Sequence, residues 1–337
     1  MKKALITGIT GQDGAYLSEL LLAKGYDVYG GFRRSSQDEF FRLRELGIED
    51  RIRRVHMDLN DPYNVFDVIK QENFSEIYNL AAQSFVGASW DLALQTTNVN
   101  AVGVLQIIDA IRRVSPETHF YQASTSEMFG LIQDQIQTET TPFYPRSPYG
   151  VAKLYAHWIT VNYRESHGLH SSSGILFNHE SPLRGEEFVT KKITRQLAEI
   201  KHGRRKTLTL GNLDAKRDWG YAKEYVEAMW LMLQQPVADD YVIATGTTTT
   251  VRDFVSFSAA ALGFDIVWEG GGVDEKGVDR KNGKILVQVS PEFYRPAEVQ
   301  ILRGSSQKAL KQLGWKAKSN VKVLAQLMAE YEDHKLR

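Results

Sequence analysis

Three evenly spaced glycines follow the first β-forming run and constrain the fold most strongly. The run at 4–7 reads Ala-Leu-Ile-Thr, and Gly8, Gly11 and Gly14 come next, ahead of a helical pattern over 15–24. Glycines here permit a tight turn, let the backbone approach a pyrophosphate and allow close packing of helix on strand. The triplet lacks the Lys-Ser/Thr ending of a triphosphate-binding loop. Its position between strand and helix therefore favours a dinucleotide site.

The first half of the chain alternates short β-rich runs with helical patterns. Further runs lie at 27–29, 55–57, 76–80, 120–123 and 174–177, and the clearest helical period covers 99–113. This alternation predicts an α/β fold with a doubly wound parallel sheet. After about residue 178 the pattern loosens, with helical segments near 188–202, 221–235, 251–263 and 321–334. The stretch 270–283 mixes glycine with charge and predicts a long loop, either a mobile lid or, as we favour, a solvated surface loop.

Composition excludes several classes of protein. The 337 residues contain 41 Lys+Arg and 41 Asp+Glu, so no basic excess attracts nucleic acid or membrane surfaces. The absence of cysteine excludes disulfides, thiolate nucleophiles and cysteine-containing metal sites. No apolar run approaches the ~20 residues of a membrane span, and the first eight residues lack the apolar stretch of a signal peptide. We expect a cytoplasmic protein without a metal, membrane or nucleic-acid partner.

The end of the second predicted strand distinguishes NADP from NAD. An NAD site usually has Asp or Glu about 20 residues beyond the glycines. Here the chain instead places Arg33, Arg34, Ser35 and Ser36. Two guanidiniums and two hydroxyls suit a 2′-phosphate, so we favour NADP over the alternative of a solvated basic turn.

Candidate catalytic residues follow the fifth predicted strand. Tyr149 and Lys153 share one helix face, where the ammonium can lower the pKa of the phenol. Tyr331 and Lys335 have the same spacing but lie far from the nucleotide motifs, so we interpret that pair as chance. The segment 124–127, Ser-Thr-Ser-Glu, lies at the carboxyl edge of the predicted sheet, where such folds bind ligands. The alternative role for its glutamate is a helix-capping carboxylate.

Together with the segment 80–84, Leu-Ala-Ala-Gln-Ser, these motifs resemble the extended short-chain dehydrogenase/reductase family, with its Rossmann-type fold. The segments 7–17, 33–36, 177–182 and 211–220 more narrowly resemble GDP-mannose 4,6-dehydratases. That resemblance implies an NADP-dependent lyase that converts GDP-α-D-mannose to GDP-4-dehydro-6-deoxy-D-mannose and water. Hydride would pass from C4 to NADP and back to C6, in the first step towards GDP-fucose and GDP-rhamnose. It also implies a homodimer or homotetramer.

The resemblance assigns roles residue by residue. Tyr149 would deprotonate the C4 hydroxyl, with Thr125 hydrogen-bonded to that oxygen and Lys153 keeping the phenolate accessible. Glu127 would remove the C5 proton and assist loss of the C6 hydroxyl. Cofactor contacts are expected from Gly8, Ile9, Thr10, Gly11, Gln12, Asp13, Gly14, Arg33, Arg34, Ser35, Ser36, Asp58, Leu59, Leu80, Ala81, Ala82, Gln83, Ser84, Lys153, His179 and Arg184. Substrate contacts are expected from Ser84, Thr125, Glu127, Tyr149, Asn178, Lys192, Arg217, Arg295 and Glu298.

The resemblance also implies a division into domains. The Rossmann domain would span 1–178, with returning segments at about 212–244 and 286–303. A smaller mixed α/β lobe that binds the GDP-sugar would span about 179–211, 245–285 and 304–337.

Several alternatives stay open. A GDP-4-keto-6-deoxy-mannose reductase or a 4-epimerase needs the tyrosine–lysine pair but not Glu127, which favours dehydration. A dehydratase of a related GDP-manno-heptose fits the same motifs. A protein that senses NADP without turnover is disfavoured by the intact catalytic set. A metal hydrolase is disfavoured because His179-Glu180 has no second histidine at the H-E-x-x-H spacing.

Overall fold

A computed structural model describes residues 1–293 and 301–337 of the chain. Among these residues the strands, in chain order, are β1 (Lys3–Thr7), β2 (Asp27–Phe32), β3 (Arg53–His56), β4 (Glu76–Asn79), β5 (His119–Thr125), β6 (Ser171–Leu176), β7 (Asn178–Glu180), β8 (Leu208–Leu210), β9 (Lys216–Arg217), β10 (Trp219–Tyr221), β11 (Asp240–Ile243), β12 (Thr249–Thr250), β13 (Ile266–Glu269), β14 (Lys276–Asp279), β15 (Ile285–Val289) and β16 (Ile301–Leu302). The α-helices of the same residues are α1 (Gln12–Ala23), α2 (Phe41–Glu45), α3 (Pro62–Glu72), α4 (Ala93–Thr97), α5 (Gly103–Val114), α6 (Pro148–His167), α7 (Val189–Lys201), α8 (Ala222–Leu233), α9 (Val251–Ala261), α10 (Gln307–Leu313) and α11 (Val321–Leu336).

The chain divides into two compact units. The first comprises Met1–Phe177, Ala222–Ile243 and Gly304–Lys316. The second comprises Asn178–Tyr221, Ala244–Arg303 and Ala317–Arg337. Among the described residues, no helix combines the length and apolarity that a membrane crossing requires.

The first unit is built on a seven-stranded parallel sheet in the order β3-β2-β1-β4-β5-β6-β11. Its central strands β1, β4, β5 and β6 are almost wholly buried, because helices cover both faces of such sheets. On one face, Leu5, Ile77 and Phe120 of the strands pack with Ile107 and Ile111 of α5. The doubly wound parallel sheet predicted from the alternating pattern is confirmed, as is the Rossmann-type fold that the family resemblance implies.

The helix predicted over 99–113 has an interruption that the sequence did not indicate. A π-helical turn, Asn98–Val102, joins α4 to α5. Such turns insert an extra residue into the helical ladder and often occur at functional sites. Here the turn buries the polar side chain of Asn100 completely.

The second unit combines three small sheets with helices α7, α9 and α11. The sheets have the orders β13-β14-β15-β8, β12-β9-β16 and β10-β7. The helices pack on one another around an apolar core that includes Leu197, Phe254, Met328 and Trp219. The prediction of a long loop over 270–283 is wrong, because β14 lies within this stretch and pairs with both β13 and β15.

The observed units differ from the sequence-based domains in three places. Residues 212–221 and β15 and β16 belong to the second unit, because β15 pairs with β14 and β8 while β16 pairs with β9. Residues 304–316 belong to the first unit, because α10 packs on α8 and β11.

Candidate active site

The glycine turn after β1 brings three backbone segments together. Gly8 has a φ of +69°, and a Cβ there would lie 2.8 Å from the Cα of Ala81. A Cβ on Gly14 would lie 2.5 Å from the Gly8 carbonyl oxygen. Both positions therefore require glycine, one for backbone conformation and one for close packing of α1 on the turn. Gly11, just before α1, has no side chain to cap the helix, whose N-terminal N–H groups face the turn.

A side chain that the sequence did not single out braces this turn. The Nη1 of Arg42, in α2, donates a hydrogen bond to the Thr10 carbonyl oxygen at 2.8 Å. The contact fixes the centre of the glycine turn from outside. No local motif signals it, because α2 approaches the turn only in the folded unit.

The arginines between β2 and the start of β3 are of two kinds. Arg44 and Arg54 both form ion pairs with Glu49. Arg33 and Arg34 are exposed and, within the described part of the chain, have no ion-pair partner. These two guanidiniums, at the carboxyl end of β2, are thus not engaged by neighbouring carboxylates.

The segment 80–84, which follows β4, is held at two points. The backbone N–H of Gln83 donates to Oδ1 of Asn100, and Nδ2 of Asn100 donates back to the Gln83 carbonyl, each at 2.9 Å. The N–H of Ala81 donates to Oγ1 of Thr7 at 3.2 Å. The π-helical turn therefore lets Asn100 clamp a segment expected to contact the cofactor. Asn100 was not among the predicted site residues. A polar residue within an apolar helical pattern is the sequence feature that could have identified it.

After β3, Asp58 and Leu59 also lie at the carboxyl edge. Oδ1 of Asp58 accepts the backbone N–H of Asn60 at 2.9 Å, and Leu59 is buried. Asp58 thus orders the turn that carries both expected contacts.

Thr125 and Glu127 stand where β5 ends. Oγ1 of Thr125 accepts the backbone N–H of Glu127 at 3.2 Å and so caps the short 3₁₀ turn Ser126–Met128. A hydroxyl has one donor hydrogen and two acceptor lone pairs, so this bond leaves the Thr125 proton to donate elsewhere. The side chain that caps this turn is therefore Thr125.

Helix α6 presents Tyr149 and Lys153 from its first turns. Its N-terminus is capped by Ser147, whose Oγ accepts the Gly150 N–H at 3.0 Å. A Cβ on Gly150 would lie 2.9 Å from the Glu127 carbonyl oxygen, so this glycine brings α6 against the turn that carries Glu127. Nζ of Lys153 lies 5.9 Å from the centroid of the Tyr149 ring.

Lys153 is buried and its ammonium is anchored. Nζ donates to the Ala123 carbonyl oxygen of β5 at 2.9 Å. Burial lowers the pKa of Lys153 to about 8, against the opposing field of Asp13. The side chain is therefore mainly protonated at neutral pH and places a positive charge beside the phenol.

Two expected cofactor contacts lie in the second unit. His179 is in β7, next to Asn178, and is buried. Arg184 pairs through Nε with Glu180 Oε2 at 3.1 Å, and its guanidinium lies 3.5 Å from the Phe188 ring centroid. The guanidinium is thus held between a buried carboxylate and an aromatic face.

The expected substrate contacts in the second unit include two cations. Nζ of Lys192 lies 4.1 Å from the Phe293 ring centroid, and burial and the charge of Arg205 lower the pKa of this lysine. Nη1 of Arg217, in β9, donates to the Lys216 carbonyl at 2.9 Å. Arg295 and Glu298 lie outside the described residues.

The first unit thus brings the glycine turn, the 80–84 segment and the pairs Thr125/Glu127 and Tyr149/Lys153 to the carboxyl edge of one sheet. The Tyr331/Lys335 pair lies instead on α11, in the second unit. Among the described residues, no group of three or more His, Asp or Glu side chains is arranged to hold a metal ion.

Known proteins resemble the chain over nearly its whole length. A family model described as GDP-mannose 4,6 dehydratase matches residues 5–328. The GDP-mannose 4,6-dehydratase of Sinorhizobium fredii (strain HH103) is 52% identical over 331 residues, covering 96% of this chain and 94% of that protein. The Homo sapiens GDP-mannose 4,6 dehydratase is 52% identical over 321 residues, covering 93% and 86%.

Solved structures share the fold at lower identity. A Thermotoga maritima UDP-glucose 4-epimerase with UDP-glucose has a TM-score of 0.83 at 21% identity, covering 99% of this chain and 100% of that one. The RMD protein of Pseudomonas aeruginosa, complexed with NADPH, has a TM-score of 0.78 at 19% identity, covering 99% and 100%. DesIV of Streptomyces venezuelae, a dTDP-glucose 4,6-dehydratase with NAD bound, has a TM-score of 0.82 at 20% identity, covering 98% and 97%.

Proposed function

This chain belongs to the GDP-mannose 4,6-dehydratase family, and we propose that it converts GDP-mannose to GDP-4-dehydro-6-deoxy-mannose and water with NADP as its resident cofactor. The observation that carries the proposal is the meeting of Thr125, Glu127, Tyr149 and Lys153 at one sheet edge. These four side chains supply what oxidation at C4 followed by dehydration requires. They are a phenol as base for an alcohol, a cation beside it, a hydroxyl donor and a carboxylate as second base.

The residues present fit a dinucleotide with a 2′-phosphate. Gly8 and Gly14 let the turn and α1 pack closely, so the N-terminal N–H groups of α1 face the glycine turn where a pyrophosphate would bind. Arg33 and Arg34 are not paired with carboxylates among the described residues, so they can receive a phosphate by charge-assisted hydrogen bonds. When bound, NADP supplies a hydride acceptor that is regenerated within one turnover.

Tyr149 acts as the base at the C4 hydroxyl in this proposal. The Lys153 ammonium, charged below its pKa of about 8, stabilises the phenolate form and so lowers the energetic cost of ionising Tyr149 at neutral pH. Thr125 donates its hydroxyl proton to the C4 oxygen. That proton is available because Oγ1 acts only as an acceptor towards the Glu127 N–H.

Glu127 acts on the product of that oxidation. Once C4 is a ketone, the C5 proton is acidic, and a carboxylate within reach removes it. The same carboxyl group then donates its proton to the departing C6 hydroxyl, so the proton taken from C5 leaves in the water. A reductase or epimerase has no need of this second acid–base group.

We assign recognition of the GDP-sugar to the second unit, with Asn178, Lys192 and Arg217 as its contacts. A nucleoside diphosphate carries two phosphate charges, and cations must balance them locally in a chain whose net charge is zero. Lys192 is half-buried, and its ammonium lies over the Phe293 ring. The ammonium is therefore less solvated than that of an exposed lysine. His179 and Arg184 are assigned to the cofactor.

Product analysis tests the proposal. Purified protein with catalytic NADP is given GDP-mannose, and the products are identified by NMR while NADPH absorbance is followed. We expect a 4-keto-6-deoxy sugar without net NADPH. Stoichiometric NADPH, or no keto product, contradicts the proposal. A parallel reaction with a GDP-manno-heptose tests the sugar, and replacing NADP with NAD tests the cofactor.

We further propose that the enzyme is a homodimer joined through α4 and α6. Exposed apolar side chains on these neighbouring helices include Leu94 at 82%, Val151 at 56% and Trp158 at 55%, with Tyr155 between the last two on α6. No charged residue occurs over 93–106, and over 148–163 Lys153 and His157 are both buried. An apolar helix face is self-complementary, as a two-fold interface requires, so a second copy of this chain fits it.

A further inference from the structure

Three buried polar side chains form a row across the centre of the seven-stranded sheet. Thr7 of β1 stands opposite Asn79 of β4, which stands opposite Gln122 of β5. Each of the three is at most 2% exposed. Polar groups in such a layer are costly unless each finds a partner, so the row needs an explanation beyond packing.

The row is a directed chain of hydrogen bonds. Oγ1 of Thr7 donates to Asn79 Oδ1 at 2.6 Å, and Nδ2 of Asn79 donates to Gln122 Oε1 at 2.8 Å. Nε2 of Gln122 then donates to the Ala123 carbonyl oxygen at 3.0 Å. Each amide is oriented by the one before it, because its oxygen must accept and its nitrogen must donate.

The chain ends on the oxygen that anchors the Lys153 ammonium. The Ala123 carbonyl accepts from Gln122 on one side and from Lys153 Nζ, at 2.9 Å, on the other. Two side-chain donors thus fix this carbonyl, one neutral and one cationic. At its other end the row contacts the segment 80–84, which is expected to contact the cofactor. There Thr7 Oγ1 accepts the Ala81 N–H at 3.2 Å.

We propose that Thr7, Asn79 and Gln122 are positioning residues for Lys153, which hold the Ala123 carbonyl and thereby keep the ammonium at its working distance from Tyr149. The inference rests on the proposed function only in taking Lys153 as the partner of Tyr149. Without the Gln122 donor, the carbonyl loses one of its two constraints and the long lysine side chain gains alternative positions. The ammonium then stabilises the Tyr149 phenolate less well.

Other ionisable groups near Lys153 are accounted for. Asp13 of α1 is the charged group whose field acts on it, and it acts on Tyr121 of β5 as well. On its own helix Lys153 has Tyr149 one turn before it and His157 one turn after it, and burial lowers the pKa of His157. Glu127 stands on the adjoining turn. Apart from the Tyr149→Phe reference proteins, none of the variants below alters these groups.

The direct test is a titration of Tyr149 that does not depend on turnover. The near-ultraviolet phenolate absorbance of each protein is compared with that of the same protein carrying Tyr149→Phe, so the difference reports Tyr149 alone. Gln122→Met removes the amide while keeping side-chain length. We expect the pKa of Tyr149 to rise by about half a unit or more, the size expected from weakening one nearby charge. The acid limb of kcat/KM should move to higher pH by the same amount.

Matched variants separate positioning from general disturbance. Gln106→Met makes the same change on α5, where Oε1 of Gln106 is buried with no hydrogen-bond partner among the described residues. Thr7→Val removes the first donor at nearly constant shape, and Thr7→Ser keeps it. We expect Thr7→Val to shift the titration and Thr7→Ser and Gln106→Met to leave it unchanged. If Gln122→Met does not fold, the comparison of Thr7→Val with Thr7→Ser tests the proposal instead.

The inference is overturned if Gln122→Met and Thr7→Val titrate like the wild type, or if Gln106→Met or Thr7→Ser shifts Tyr149 equally. Failure of the proposed function has a different signature, because the wild-type protein would then form no keto product while its Tyr149 titration is still measured.

Discussion

At the scale of single residues, Lys153 shows a conflict between stability and catalysis. Its pKa of about 8 in the fold lies below the value of ~10.4 of a free lysine, so the folded state binds this proton less tightly. The charged form therefore destabilises the fold. This penalty is fully present below about pH 8 and disappears as the pH rises towards the unfolded-state pKa.

Lys153→Met should therefore stabilise the protein while removing its activity. We expect the free energy of unfolding at neutral pH to rise by about 1–3 kcal/mol, with the gain shrinking at alkaline pH. Ala123 keeps its bond from Gln122, so the variant leaves no orphaned carbonyl. Denaturant unfolding at several pH values measures this, with Lys206→Met, an exposed lysine, as control. A loss of stability at pH 7 would show that the hydrogen bond outweighs desolvation.

Glu127 provides the residue-scale test of dehydration. Glu127→Gln keeps the side-chain shape but removes the base, so turnover should fall by about 10²–10⁴-fold. NADPH binding, followed by fluorescence, should be unchanged, because the glycine turn is untouched. A variant with normal turnover would contradict the acid–base role. Lower thermal stability with normal turnover would instead indicate a structural role for this carboxylate.

At the scale of elements, the backbone at Gly8 permits a matched comparison with Gly25. Both have positive φ, +69° and +82°, but a Cβ at Gly25 would meet nothing within 4 Å. Alanine at either position incurs about 1–2 kcal/mol of left-handed strain. Gly8→Ala must also displace the Ala81 backbone, so we expect a further ~1–3 kcal/mol of lost stability. NADPH affinity should fall only in Gly8→Ala. Equal effects of the two variants on unfolding and binding would refute the close-approach argument.

The same scale shows why some elements could be predicted from sequence. Strand β1 is buried along nearly its whole length and contains the apolar run Ala-Leu-Ile, which made it predictable. β14 buries only alternate residues and contains a glycine, so its stretch resembled a loop. β11 is four residues long and was not predicted, since it joins the sheet far along the chain from the other strands.

The residues of the candidate site also divide into those that the sequence predicts and those that it does not. Gly8, Thr125, Glu127, Tyr149 and Lys153 belong to local motifs whose spacing is visible in the sequence. Arg42, Asn100 and Gln122 are defined by partners 17 to 43 residues away, as the contacts Gln83–Asn100, Thr10–Arg42 and Asn79–Gln122 show. Such partners depend on strand register and helix packing, so the sequence pattern alone does not predict them.

At the scale of the whole molecule, the uncharged face of α4 and α6 predicts self-association. A net charge of zero gives no long-range repulsion between copies, and exposed Leu94 and Trp158 gain from burial against their counterparts. Tyr155→Glu introduces a charge that a two-fold interface brings close to its own copy. We therefore expect light scattering to show a wild-type dimer and a monomeric variant. Tyr63→Glu, at 83% exposure on α3, should stay dimeric. A monomeric wild type, or a dimer insensitive to Tyr155→Glu, would exclude this face as the interface.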